Sequence, residues 1–308
     1  MEYLGCRRRP AKDRRVSAIV RVQDLHYAYS TAHPEAPVDW VLRGVSFDVE
    51  EGEFLSIMGP TGVGKTTLCL ALNGIVPQST GGVIWGEVFV DGLNTKRHPV
   101  SELAQRVGLV FQEPETQLFN MTVEAEIAFG LESLGMDPAE MAERVDWALA
   151  VVGMRELRDR SPFHLSGGQK QRTAIASILA MTPRILVLDE PTASLDPLGK
   201  SEVFSVVREL RRQQGMTIIM AEFESEHIAE FSDRILVLNQ GQVELQGKPA
   251  EVFSQVDRMR QIGLAVAQVS EVAHCLNRRY QTSYAFTQLE EAYRALAQDH
   301  PPGLGGPP

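Results

Sequence analysis

The run Gly59-Pro60-Thr61-Gly62-Val63-Gly64-Lys65-Thr66-Thr67 constrains this chain more than any other stretch. It follows Phe54-Leu55-Ser56-Ile57-Met58, an apolar segment of strand length, and precedes Leu68-Cys69-Leu70-Ala71-Leu72, which reads as the start of a helix. The spacing matches Gly-x-x-x-x-Gly-Lys-[Ser/Thr], a loop that wraps phosphate. Its glycines let successive backbone N–H groups turn toward one anion, and the helix N-terminus adds partial positive charge. In such a loop Lys65 reaches the β- and γ-phosphates and the Thr66 hydroxyl holds Mg²⁺. A dinucleotide fingerprint does not fit, because Gly62-x-Gly64-x-x ends in Thr67 and a pyrophosphate site would not need Lys65. A glycine-rich turn without a ligand would need neither the lysine nor the hydroxyl. The expectation is a nucleoside triphosphate site.

Composition sets outer bounds. With 308 residues, 44% hydrophobic and 23% charged, the chain suits a soluble globular protein of one or two domains. No apolar run approaches the roughly 18–20 residues of a membrane helix. Residues 1–15 hold Arg7-Arg8-Arg9 with no apolar stretch behind them, unlike a secretory signal. Cys6, Cys69 and Cys275 are scattered and odd in number, so neither a disulfide framework nor a metal spacing emerges, and a reducing cytosol suits them. The net charge of −10 argues against nucleic acid as the main partner. Residues 1–21 carry seven basic and two acidic side chains, a local +5 that leaves −15 for the rest. This basic start could touch phospholipid headgroups or nucleic acid, or could be a solvated, disordered tail over residues 1–15.

Alternating segments come first: Ala18–Val22, Trp40–Leu42 and Val45–Val49 read as antiparallel strands with one buried face. Tyr27, Tyr29 and a Pro-rich loop from His33 to Pro37 lie among them. An aromatic here could stack on an adenine ring, or serve as a core or surface tyrosine. Gly86–Gly92 is another short strand closed by a turn. Val107–Phe111 reads as a strand that stops at Gln112. Thr122–Leu134 is helical in spacing, and Asp137-Pro138-Ala139-Glu140 starts a second helix, which Gly153 ends. Leu165-Ser166-Gly167-Gly168-Gln169 leads into a third helix, with Ser166 where an N-cap belongs. That is a second helix start able to receive an anion, or a plain helix cap.

Ile185-Leu186-Val187-Leu188 is apolar throughout, the mark of a strand buried on both faces, and it runs into Asp189-Glu190. Two carboxylates at such a position are costly unless a cation or donors meet them. Mg²⁺ held by phosphate and Thr66 supplies that cation for Asp189, leaving Glu190 to face the attacking water. Thr217–Met220 is a further apolar strand with Glu222 just past it, and Ile235–Leu245 reads as a hairpin. The phosphate loop, Gln112, Asp189-Glu190 and Glu222 all lie just beyond the C-terminal ends of apolar strands, the edge where open parallel sheets bind ligands.

Together, the phosphate loop, Gln112, Leu165–Gln169, Asp189-Glu190 and Ser194-Leu195-Asp196 resemble the ATPase subunit of an ABC transporter, over about residues 16–247. The resemblance implies an α/β fold: a P-loop NTPase core with a mostly parallel sheet, an N-terminal antiparallel β subdomain, an inserted helical subdomain at about residues 116–180, and a C-terminal α/β extension over 248–308 that pairs subunits and ends in a disordered Pro/Gly tail. It implies ATP and Mg²⁺, with Gly59, Pro60, Thr61, Gly62, Val63, Gly64, Lys65, Thr66 and Thr67 as Walker A. Asp189 is then the Walker B aspartate, Glu190 the catalytic base, Gln112 the Q-loop glutamine and a further metal contact. Ser166, Gly167, Gly168 and Gln169 form the signature, Asp196 is the D-loop aspartate, and Tyr29 stacks on adenine. Such subunits close head to tail, so that the Ser166 helix meets the γ-phosphate bound by its partner.

Phe111–Phe119 and Thr122–Gly130, with Ala267–Ser270 and Thr287–Ala292 near the end, are similar to the ATPases of energy-coupling factor (ECF) transporters. The implied partners are a second ATPase subunit (another copy or a paralogue), a transmembrane coupling subunit and a membrane subunit that binds a vitamin or transition-metal ion, with this chain at the cytoplasmic face of the cell membrane. A conventional ABC importer fed by an extracellular binding protein is one alternative, and an ABC ATPase acting on ribosomes or DNA another. One position departs from the family. Where a switch histidine is usual, the alignment puts Glu222, and His227 lies out of register. The expectation is that Glu222 senses the γ-phosphate through water or in protonated form, its pKa raised beside Asp189 and Glu190.

Overall fold

The computed structural model describes residues 18–30 and 38–299. The basic start over residues 1–15, the loop from His33 to Pro37 and the Pro/Gly tail lie outside the described residues. Within them, two sheets carry the fold. The first is antiparallel, ordered β2 (Leu42–Val49), β1 (Val20–Ala28), β4 (Val83–Val90), β5 (Leu93–Asn94). The second is ordered β10 (Gln242–Gly247), β9 (Arg234–Asn239), β3 (Phe54–Met58), β8 (Thr217–Ala221), β7 (Ile185–Asp189), β6 (Val107–Val110). Its neighbours run parallel except at the β9–β10 hairpin.

Every residue of β3, β6, β7 and β8 is buried, as strands covered on both faces must be. Alternate side chains serve opposite layers. Leu55, Ile57, Val187, Ile219 and Leu236 share a core with α1 (Lys65–Leu72) and the antiparallel sheet. Short helices α2 (Ile75–Gln78) and α3 (Val100–Leu103) link this layer to β4 and β6. On the other face, Phe54, Leu186, Leu188, Ile218 and Met220 pack with α4 (Val123–Ser133), α5 (Pro138–Val151), α6 (Gly167–Ala180) and α7 (Pro197–Gln214). Each such side chain contributes about 1.5–3 kcal/mol on burial. Helix α8 (Ser225–Phe231) joins β8 to β9.

The helix starts follow their caps. Thr122 accepts from the Ala125 N–H, Asp137 from the Ala139 N–H with Pro138 at the first helical position, and Gly153 takes φ +65° past α5. Helices α4, α5 and α6 occupy the span between β6 and β7, where a helical insertion was expected.

Two expectations change. The segments Trp40–Leu42 and Val45–Val49 are not separate strands: β2 starts at Leu42 and runs through Gly44, whose φ of +79° marks an irregularity at which the pairing with β1 shifts register. The C-terminal extension is helical among the described residues: α9 (Pro249–Phe253), α10 (Val256–Ile262), α11 (Gln268–Tyr280) and α12 (Leu289–Asp299). The first two pack on Met58, Ile235 and Val237, while α11 and α12 close a small core of their own around Ala273, Phe286 and Ala292.

Candidate functional site

β3 ends at Met58, and the chain turns through residues 59–64 into α1. Gly59 passes so close to β9 that a Cβ on it would lie 2.6 Å from the Leu238 carbonyl oxygen. Gly62 and Gly64 take φ of +79° and +106°, a region that side chains rarely adopt. Gly64 is also the N-cap of α1 and brings no side-chain cap, so the first N–H groups of that helix suit an anion. Pro60, Thr61 and Val63 form the rim, with the Val63 N–H donating to the Pro60 carbonyl. Lys65 is buried. Its Nζ donates to the carbonyl oxygens of Gly59 (2.8 Å) and Pro60 (3.1 Å) and lies 3.0 Å from Glu190 Oε1.

Asp189 closes β7 and is buried. The Thr66 side chain lies against its carboxylate, while Oδ1 has no hydrogen-bond partner among the described residues. Burial is the main cause that raises its pKa above the usual carboxylate value. The Thr66 hydroxyl opposes this, Glu190 adds to it, and Lys65 opposes it. A carboxylate oxygen and a hydroxyl are hard oxygen donors, the set that Mg²⁺ takes when phosphates and waters complete its shell. Glu190 follows with φ +45°, the left-handed region, which costs a non-glycine residue about 1–2 kcal/mol. Its N–H donates to the Ala221 carbonyl on β8 at 2.9 Å, and its carbonyl accepts from the Ala193 N–H at 3.2 Å. This turn brings its carboxylate to Lys65.

Gln112 is exposed two residues past β6. Val110 pairs with Leu188, so Gln112 stands level with Glu190 at the same sheet edge. A neighbour that sequence reasoning missed, Gln117, pins this exit: its Oε1 accepts from the Phe111 N–H and its Nε2 donates to the Leu109 carbonyl.

Glu222 is 0% exposed, and its carboxylate is turned into the protein. Oε2 accepts from the Thr192 hydroxyl at 2.8 Å, and Oε1 from the N–H groups of Phe223 (2.8 Å) and Glu224 (3.3 Å). Its pKa is raised, first by burial, against these hydrogen bonds; the charge that adds to it is Glu224, not Asp189 or Glu190. Thr192, its partner, had no signal in the sequence. The next residue, Phe223, carries the exposed side chain at this point.

Ser166 caps α6 reciprocally: its hydroxyl accepts from the Gln169 N–H at 3.3 Å, and Gln169 Oε1 accepts from the Ser166 N–H at 3.0 Å. Gly168 crosses α7 so closely that a Cβ there would sit 3.0 Å from Gly199 Cα. Asp196 caps α7, Oδ1 accepting from the Gly199 N–H at 2.7 Å. The two helix starts thus meet and wall a cavity of about 460 Å³ lined by Ser166, Gly167, Gly168, Gln169, Ser194 and Asp196, with no phosphate-loop residue among its described walls. Tyr27 is a core tyrosine, whereas Tyr29 is 41% exposed, its hydroxyl 3.1 Å from Thr67 Oγ1 and its ring edge-on to Tyr27.

Beyond Gln112, the exposed Phe119 and Phe129 meet edge to face at 4.8 Å and line an apolar groove with Phe111, Leu134, Ile178 and Met181. The buried Glu126 holds its rim, accepting from the N–H groups of Phe119 and Asn120. Among the described residues, no helix is long and apolar enough to cross a membrane.

A profile of the ABC transporter family matches residues 42–193. An ABC transporter ATP-binding protein of Pyrococcus abyssi is 46% identical over 280 residues, covering 91% of this chain and 98% of its own. The energy-coupling factor transporter ATP-binding protein EcfA2 of Caldanaerobacter subterraneus subsp. tengcongensis is 43% identical over 263 residues, 84% of this chain and 90% of that protein. Among solved structures, cbiO1 of Clostridium perfringens, part of the ABC transporter complex cbiONQ, superposes with a TM-score of 0.68 at 33% identity, over 83% of this chain and 98% of that one. A phosphate loop at the end of β3, a strand closing on Asp189-Glu190 and a capped Ser166 helix standing apart from both agree with these likenesses: the chain belongs to the ABC transporter ATP-binding proteins, beside the energy-coupling factor ATPases, and its chemistry is ATP hydrolysis coupled to transport.

Proposed function

We propose that this chain is the energy-coupling ATPase of an importer for a vitamin or transition-metal ion. It works at the cytoplasmic face of the membrane, with a second ATPase subunit, a transmembrane coupling subunit and a membrane substrate-binding subunit. The observation that carries the reading is the meeting of Lys65, Thr66, Asp189 and Glu190 beside the phosphate loop, while the Ser166 cavity stands elsewhere. One subunit holds each half of a site, and two ATPase subunits set head to tail complete both.

In this reading Tyr29 stacks on adenine, the N–H groups of residues 59–67 and the Lys65 ammonium bind phosphate, and Glu190 orients the attacking water and takes its proton. Thr66 and Asp189 would hold Mg²⁺, with Gln112 adding its side-chain oxygen from the facing strand end. Bound there, Mg²⁺ neutralises charge on the phosphate oxygens. Ser166, Gly167, Gly168 and Gln169 meet the γ-phosphate held by the partner, and Asp196 borders the same place. The apolar groove at Phe119 and Phe129 receives a helix of the coupling subunit.

Purification of the tagged chain from native membranes in mild detergent tests this assignment. It should bring down two different membrane proteins, one of which binds the vitamin or metal ion without an extracellular binding protein. Recovery with a permease that depends on such a binding protein, or ATPase activity stimulated by RNA or DNA, would replace this reading with one of the two alternatives.

A further inference from the structure

Glu190 is held in a backbone conformation that its side chain does not favour, so something beyond the residue must hold it there. Its own N–H is bonded to the Ala221 carbonyl. Two residues on, Thr192 is completely buried and donates to Glu222 Oε2 at 2.8 Å. Glu222 is in turn fixed from its own side, its Oε1 receiving two backbone N–H groups and its N–H donating at 3.1 Å to the carbonyl of Ile57. Ile57 is one residue before the end of β3, which leads into the phosphate loop. A continuous chain of short contacts therefore runs from β3 through Glu222 and Thr192 to the segment that carries Glu190. The next turn repeats the pattern, because Glu224 pairs with Lys200 at the start of α7.

The chemistry of Glu222 suits this use. No cation pairs with Glu222 among the described residues: Lys65 pairs with Glu190 and Lys200 with Glu224. A buried carboxylate without a cation is expensive, and an apolar residue of that size would cost less. What the carboxylate supplies is three accepted hydrogen bonds in fixed directions. We infer that Glu222 and Thr192 are positioning residues for Glu190, Glu222 acting through the Thr192 hydroxyl and not on phosphate. The inference rests on the reading of Glu190 as the group that orients water, and it gives Glu222 a role inside one subunit.

Steady-state and single-turnover ATP hydrolysis, with ATP affinity measured alongside, test the link in the complex with its membrane partners. Thr192→Val and Glu222→Ala should lower kcat by about tenfold to a hundredfold, the loss expected of a misplaced catalytic group, with KM for ATP within about twofold. Thr192→Ser and Glu222→Gln keep a hydrogen bond between the two positions and should restore most of the rate, which also guards against a folding defect in the harsher variants. In a Glu190→Gln background, Thr192→Val should cause no further loss, since the residue it positions is already disabled. Thr192→Val at the wild-type kcat, or an equal fractional loss in both backgrounds, overturns the positioning role while leaving Glu190 as read. Glu190→Gln at the wild-type rate overturns the reading of Glu190, and this inference with it.

Discussion

Asp189 and Glu190 are neighbours in sequence, yet their surroundings divide the work between them. Asp189 is buried at the end of β7 with one carboxylate oxygen lacking a donor among the described residues, whereas Glu190 takes a left-handed conformation and reaches Lys65. The raised pKa of Asp189 has a sign that can be worked out. Protonated, the side chain is tolerated in the fold. As pH rises through the folded-state value, the charged form is favoured more in the unfolded chain than in the native one, and stability is lost. Asp189→Asn removes that charge and should raise Tm by about 2–6 °C near pH 8, from about 1–3 kcal/mol of relieved desolvation. The gain should shrink as pH falls and the carboxylate takes up its proton, and hydrolysis should fall, because an amide is a poor cation ligand. Calorimetry of both forms across pH checks this; a gain that is absent, or that grows toward acid, would mean that the buried carboxylate is not a cost to the fold.

The segment that leads into α4 shows how neighbouring residues serve core and surface. Leu118 is buried in the main core, while Phe119 is 56% and Met121 75% exposed. The turn at residues 114–116 and the bonds from Gln117 and Glu126 set which residue faces in. Two outcomes separate the roles. Phe119→Glu with Phe129→Glu should abolish co-purification with the coupling subunit and uncouple transport, leaving basal ATP hydrolysis within about twofold of wild type. Leu118→Ala should instead cost about 2–5 kcal/mol of stability, as core truncations do. Denaturant melts and transport assays on the same variants distinguish them, and normal assembly by the double phenylalanine variant would place the docking groove elsewhere.

Pairing of subunits is the property that the separated half-sites demand, and the C-terminal helices offer a surface for it. Val272, Tyr280, Leu289 and Tyr293 on or beside α11 and α12 are all exposed and apolar. Leu289→Lys with Tyr293→Glu should weaken association of ATPase subunits by tenfold or more in sedimentation, about 1.4 kcal/mol or more, with ATP affinity of the single subunit unchanged. Undiminished association would assign these helices another partner.

The phosphate loop and the caps at Asp137 and Ser166 were legible in the sequence because their hydrogen bonds and dihedral angles span a few residues, so spacing and residue type decide them. The strand closing on Asp189-Glu190 was legible from its unbroken apolar run, the mark of burial on both faces. The interior position of Leu118, the orphaned Asp189 oxygen and the bond between Thr192 and Glu222 were not. Thr192 and Glu222 lie 30 residues apart, and they meet only because β7 and β8 are neighbours in a register set by packing on both faces of the sheet. Glu222 looked like a residue facing phosphate because it follows an apolar strand. Which way a side chain points there depends on the strand beside it, and only the assembled sheet supplies that.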